Sequence, residues 1–324
     1  MTDKNSITEK LADPKSFRKA MNTIQRKLRN AKTRKEKREL TMEWEDLGEM
    51  LAWELLEHGE YKKALVIYKK LPWRRHGENK YLGIGRALME IGHHREAKRF
   101  LEKGLKRFPE SIYLLYGMGI FYDGLKIYSL SLKYYDQALK HSPNNEFILL
   151  RKGTALFALG CYEDASLMYQ RISEKFPEEP NLLIMIGNCY LLTGYPEEAS
   201  VYFKKGIGLE YPGSEALEGL YFSYRDMNLY TDALEIAQEC FRKYHNDPNS
   251  YLILVDACWI QGWTNEAKKT LIEGIERFPD DERLKDLLKE IEDKMDNPDD
   301  DKKFPLLPVL ICLQILRRKL ERRT

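Results

Sequence analysis

No apolar run of bilayer-spanning length occurs in these 324 residues; residues 304–316 form a stretch of thirteen, against the roughly 20 that a spanning helix needs. Cysteine is scarce. The five (Cys161, Cys189, Cys240, Cys258 and Cys312) form no C-x-x-C pair, and their odd number argues against a secreted disulfide framework. The opening residues Met1 to Ser6 carry no apolar run, so no signal peptide is visible and a reducing cytoplasm is the expectation. Global charge is also lacking: 53 Lys and Arg balance 51 Asp and Glu, which sets up no field for nucleic acid. P-loop, H-E-x-x-H and G-x-S-x-G patterns do not occur. His93-His94 has no third ligand at metal spacing, and Gly83-Ile84-Gly85 lacks the third glycine of a dinucleotide loop. The expectation is a protein without catalytic residues, metal or cofactor.

What is present is the composition of a folded chain, 43% hydrophobic and 32% charged. The near-neutral total conceals a division. Residues 1–40 carry 13 Lys/Arg against 5 Asp/Glu, residues 302–324 carry 7 against 1, and the body between them is acidic. Such asymmetry marks ends with contacts of their own.

A small residue followed four positions later by a larger one recurs along the body. The pairs are Ala64/Tyr68, Ala97/Leu101, Ser131/Tyr135, Ala165/Tyr169, Ala199/Phe203, Ala233/Ala237 and Ala267/Leu271. After a first step of 33, the small residues keep a spacing of 34. Twelve positions before them lie Ala52, Gly85, Gly119, Gly153, Gly187, Tyr221 and Val255; five before them come glycines, replaced by Lys126 and Asn228 in two units. Twelve after them come Pro109, Pro143, Pro177 and Pro279, with Pro212 displaced by one. Apolar spacing between these marks is helical, so each unit reads as helix, turn, helix. Small residues let the two helices approach, and the large side chain fills the facing hole. The glycine ends the first helix in the left-handed region, and proline stops the second. The sixth unit, with Tyr221 and Ala237, inverts the sizes and should pack differently.

Stretches such as Phe157-Ala158-Leu159-Gly160-Cys161-Tyr162-Glu163-Asp164-Ala165 and Gly194-Tyr195-Pro196-Glu197-Glu198-Ala199 resemble the tetratricopeptide repeat (TPR) family. The resemblance runs through seven units. It implies an all-α fold, a right-handed TPR superhelix or alpha-alpha solenoid with N- and C-terminal capping helices, whose first helices line a concave, ligand-binding face. Residues 1–44 then form a basic N-terminal helical cap, 45–281 the seven units, 282–296 a C-terminal capping helix, 297–303 an acidic linker and 304–324 an apolar-basic segment. In the N-terminal cap, Asp13-Pro14 reads as a helix start followed by an apolar stripe at Phe17, Met21, Ile24 and Leu28, and Thr33 to Glu36 as a capping box.

If the resemblance holds, positions 2, 5, 9 and 12 of each unit face the concavity. In the third to fifth units they are Tyr113, Tyr116, Ile120 and Asp123; Phe147, Leu150, Thr154 and Phe157; Asn181, Ile184, Asn188 and Leu191. All but Asp123 form the candidate peptide-binding groove, apolar and aromatic with a few amides. Asp46 and Glu49 at one end, with Glu215, Glu218 and Asp256 at the other, read as an acidic rim. The family's carboxylate clamp is not present, since position 5 reads Glu49, Leu82, Tyr116, Leu150, Ile184, Glu218 and Leu252. Cys161, Cys189, Cys240 and Cys258 fall at repeat positions and read as buried fillers.

The functional expectation is a non-enzymatic scaffold or adaptor that binds apolar or amphipathic segments of other proteins in the groove. The alternative is a peripheral membrane-associated assembly factor anchored by the C-terminal segment, since Arg317, Arg318 and Lys319 follow the apolar run and suit anionic headgroups. Docking of that segment on protein, its own chain in cis or trans included, is the favoured of the two. The basic arm from Lys15 to Arg38 lacks interleaved aromatics apart from Phe17, which belongs to the apolar stripe, so a solvated helix face is expected there and no nucleic-acid partner, an RNA-associated adaptor being the weaker reading. Leu71 to His76 interrupts the register, with Trp73 expected to pack into the shortened turn.

Overall fold

Apolar residues three and four apart, punctuated by tight turns, wind the chain into helices. The computed structural model describes residues 14–72, 77–210 and 213–296. Among them all regular elements are α-helices, and there are sixteen: α1 (Pro14–Asn30), α2 (Arg34–Glu57), α3 (Tyr61–Lys70), α4 (Gly77–Glu90), α5 (His94–Arg107), α6 (Ile112–Gly124), α7 (Tyr128–His141), α8 (Glu146–Ala158), α9 (Tyr162–Ser173), α10 (Pro180–Leu192), α11 (Pro196–Gly208), α12 (Glu215–Asp226), α13 (Tyr230–Lys243), α14 (Pro248–Ile260), α15 (Thr264–Arg277) and α16 (Glu282–Asp296). Asp13, Trp73, Pro212, Cys312, the linker 297–303 and the segment 304–324 lie outside the described residues, as does the Phe17 side chain. The chain divides into two units, Met1–Arg151 and Lys152–Thr324, within α8.

Both units obey the same packing rule, and the glycines explain it. In the second unit, a Cβ placed on Gly153 would sit 2.6 Å from the Tyr169 ring, and one on Gly187 2.9 Å from the Phe203 ring. Phe203 also fills the space over Gly219 in the following repeat. In the first unit Leu101 covers Gly85, with 2.7 Å to an added Cβ, and Tyr135 covers Gly119. Tyr68, Leu101, Tyr135, Tyr169 and Phe203 are all buried. In these four pairs the large member thus occupies the groove left by a glycine twelve positions ahead of the small member.

Left-handed turns join the two helices of a pair. Gly59, Gly92, Gly160, Gly194 and Gly262 have φ between +72° and +82°. Lys126 (φ 58°) and Asn228 (φ 60°) adopt the same region without being glycine, which for a lysine costs about 1–2 kcal/mol. The inverted sixth repeat packs through a polar tie: Tyr221 is buried, and its hydroxyl donates to Asp256 Oδ2 at 2.5 Å.

At the first unit's start, α1 lies against α2 and buries Ile24. The capping box is formed in part: Thr33 Oγ1 accepts from the Glu36 amide at 3.1 Å, while the Glu36 carboxylate reaches the Lys32 amide at 3.0 Å. Where the register breaks after α3, the buried Lys80 amine donates to the Leu71 carbonyl, and its burial lowers the amine's proton affinity. At the end of the second unit, α16 buries Leu284, Leu287 and Ile291 in one core with Tyr251, Val255 and Leu271. Its other face is charged and exposed, as the end of a stack requires.

Candidate functional site

The inner-face positions follow from the packing just described, since position 8 of the first helix, glycine in α4, α6, α8 and α10, is turned towards the partner helix. In the first unit they leave a run of accessible aromatics. Tyr113, at the start of α6, is 62% exposed, and Phe147, at the start of α8, is 66% exposed. Tyr116 is half-buried with its ring tilted against Tyr135 at 6.1 Å, and Ile120 and Leu150 are half-buried too. Asp123 is tied into the packing: Tyr135 donates its hydroxyl to Asp123 Oδ2 at 2.5 Å. Burial pushes the Asp123 carboxyl above its ordinary value, opposed by hydrogen bonds from Ser131 and Tyr135. The Tyr135 phenol is driven far up by burial and by the neighbouring carboxylate.

Sequence reasoning centred on the third to fifth repeats missed Trp53, although it occupies position 9 of the first. It is 42% exposed on α2, and the Arg86 guanidinium lies 5.3 Å from its ring centroid. Arg86 occupies the same position one repeat on, and its Nη1 pairs with Glu57 Oε1 at 2.6 Å. The same position-9 arithmetic that gave Ile120 points to both residues.

The second unit is different. Thr154 is half-buried. Phe157, Ile184, Asn188 and Leu191 are all buried. Phe157 meets the Tyr162 ring edge-on at 5.1 Å, and Ile184 and Leu191 join Phe203 and Leu220 in the core. Asn181 is exposed, and its amide donates to Glu179 Oε1 at 2.7 Å. First helices of successive repeats touch here, α10 with α12 and α12 with α14, as α2 with α4 and α4 with α6 do in the first unit.

The acidic rim expected of Glu215, Glu218 and Asp256 needs correction, because all three are buried. Asp256 Oδ2 accepts from Tyr221 and lies 3.2 Å from Arg225 Nη1, while Arg225 stacks 4.8 Å from the Phe222 centroid. Glu218 Oε1 accepts from Ser214 Oγ at 2.5 Å, and the same hydroxyl reaches Asp247 Oδ2 at 2.8 Å. These carboxylates join helices one repeat apart. In the first unit Asp46 and Glu49 are half-buried, and Glu49 Oε1 accepts from Asn79 Nδ2 at 2.6 Å.

The cysteines divide. Cys189, Cys240 and Cys258 are buried, and burial raises the Cys189 thiol to about 12 and moves Cys258 the same way. Cys161 is exposed, contrary to expectation, because it stands in the turn between α8 and α9 and not on a packed helix face.

Models described as tetratricopeptide repeat match residues 82–146, in the first unit, and 180–211, in the second. These two stretches are tetratricopeptide repeats. Solved TPR-type structures agree on the fold. A TPR protein from Parabacteroides merdae superposes with a TM-score of 0.54 at 18% identity, over 76% of this chain and 97% of that one. Pseudomonas aeruginosa PilF gives 0.52 at 18% identity, over 68% of this chain and 100% of that one. A chain of the APC/C hetero-tetramer Cut9-Hcn1 gives 0.53 at 21% identity over 76% of this chain, the match spanning 49% of the other chain. At such identities these likenesses speak for the fold: an all-α helical repeat. A comparison with curated proteins finds no match. No described helix is long and apolar enough to cross a membrane.

Proposed function

We propose that this chain, read as seven TPR units between capping helices, is a non-enzymatic scaffold that holds apolar or amphipathic polypeptide segments against its inner-face aromatics. The observation that carries the reading is the exposure of Tyr113 and Phe147, large aromatics one repeat apart at the same register position. Side chains of this size left two-thirds in water on a folded chain mark a contact surface. Trp53 and the Arg86–Glu57 pair extend the inner-face register to the first two repeats, so segments combining apolar anchors with charged flanks suit it. The buried inner-face residues of the second unit serve packing in this reading. The membrane-anchored alternative rests on residues 304–324, outside the described chain, and the accessible aromatics favour a protein partner over it.

The test is binding of fluorescent amphipathic peptides, drawn from a display library selected on the full chain, to the Tyr113→Ser/Phe147→Ser variant. Removing the two anchors together should cost at least about 2 kcal/mol, so binding should weaken by roughly 30-fold or more with melting unchanged. Undiminished binding by the variant overturns the groove reading.

A further inference from the structure

One feature of the second unit lies apart from the groove. Four positions before each small residue stands the residue that both follows the left-handed glycine or asparagine and opens the next helix: Cys161, Tyr195, Leu229 and Trp263, each 34 apart. Helix starts favour Ser, Thr, Asp or Asn at this place, and none of the four makes a side-chain cap. Their amides do close the preceding helices, as Tyr195 N to Tyr190 O at 2.9 Å and Trp263 N to Cys258 O at 2.8 Å. An apolar side chain there gains some contact with the helix just ended, as Tyr195 does on Tyr190 at 6.5 Å. That contact leaves a large remainder: Tyr195, Leu229 and Trp263 are still 52%, 42% and 43% exposed. The result is an apolar row along the turn edge. Exposed carboxylates in the first turns of α9, α11, α13 and α15 flank it, among them Glu163, Glu197, Asp232 and Glu266.

The chain itself contains a matching segment. Residues 304–316 are apolar, and Arg317, Arg318, Lys319, Arg322 and Arg323 follow, so the order apolar then basic complements an apolar row edged with acids. The exit point is correct as well. Lys268 Nζ meets Glu292 Oε1 at 2.7 Å, which sets the C-terminal half of α16 beside the N-terminal half of α15, the half that begins at Trp263. The chain therefore leaves α16 on the turn edge. Seven linker residues reach up to about 24 Å. Helices packed about 10 Å apart put Trp263 and Tyr195 roughly 20 Å from each other, a span that thirteen residues cover even at the helical rise.

We propose that residues 304–324 dock in cis on this turn edge, with the apolar stretch over Tyr195, Leu229 and Trp263 and the arginines against the first-turn carboxylates. Each surface then covers the other's apolar area. The inference stands independently of the groove, which belongs to the first unit's aromatics.

Hydrogen exchange of the full chain, read by mass spectrometry over a dilution series, tests it. Peptides from 304–316 should exchange at least about tenfold more slowly than an open chain, the protection that 1.4 kcal/mol provides, and dilution should not change this. Tyr195→Asp/Leu229→Asp/Trp263→Asp should abolish that protection while peptides of α10 and α12 keep theirs. The reciprocal variant Leu310→Asp/Leu313→Asp leaves the helices untouched and should speed exchange in the turn peptides around Leu229 and Trp263. Open-chain exchange of 304–316 in the wild type, or protection that survives both variants, overturns the proposal. So does protection lost on dilution, which indicates a second copy, or gained only on adding anionic vesicles, which indicates a lipid surface.

Discussion

Gly153→Ala probes the packing rule by the sign of its effect. At an unconstrained mid-helix site the change stabilises by about 1 kcal/mol, because alanine is the better helix former. Here the new methyl would stand 2.6 Å from one Tyr169 ring carbon and 3.0 Å from two others. Carbon atoms pack best at about 3.5–4.0 Å, so the ring must retreat by roughly 1 Å. Tyr169 is fully buried, which leaves its ring no easy retreat. Overpacking of this kind costs about 1–3 kcal/mol, and after the helix gain a net loss of about 1 kcal/mol remains. In a Tyr169→Leu background the clash is gone and the same substitution should be neutral or stabilising, a coupling of about 2 kcal/mol. Urea melts of the four proteins of the cycle, followed by circular dichroism, give the answer. A higher midpoint for Gly153→Ala alone would refute the large-into-small register.

Lys126→Gly relieves a left-handed lysine and should raise stability by about 0.5–1 kcal/mol after the unfolded-state entropy of glycine is counted; a lower melting midpoint contradicts the turn assignment. Asp123 has a folded-state affinity for protons above its ordinary value of 3.8, chiefly through burial, so its contribution to stability falls as pH rises through the window above 3.8 and is flat beyond it. Asp123→Asn should therefore melt higher than wild type at pH 7, with the gap closing as pH drops towards 4; a gap that widens on acidification disproves the sign. Among the four described cysteines, Cys161 should react with a thiol reagent in the native state, while Cys189, Cys240 and Cys258 wait for unfolding. Peptide mapping after brief labelling distinguishes these rates.

The helical frame was legible because glycine, alanine and proline at fixed offsets leave few alternatives. Gly153 opposite Tyr169 and Gly187 opposite Phe203 sit where the spacing implied. The accessibility of the inner face was less so. A sequence assigns Ile184 and Leu191 to the same face as Tyr113, but whether a side chain there is covered depends on the neighbours the fold brings to it, and Ile184 and Leu191 share a core with Phe203 and Leu220. Carboxylates misled for a related reason. Glu218 and Asp256 look like a charged rim until Ser214, Tyr221 and Arg225, from one repeat away or nearer, supply the hydrogen bonds that pay for burial. Tyr221 opposite Ala237 read as a repeat that should pack differently, and its polar partner 35 residues on was invisible without the fold. Trp53 was legible and overlooked, since the position-9 register runs straight through it.

The most direct measurement is the affinity of the full chain for a selected amphipathic peptide, compared with that of Tyr113→Ser/Phe147→Ser at equal thermal stability. Loss of roughly 30-fold or more in the variant is the predicted result. Equal affinities for wild type and variant contradict the claim that these exposed aromatics hold the partner.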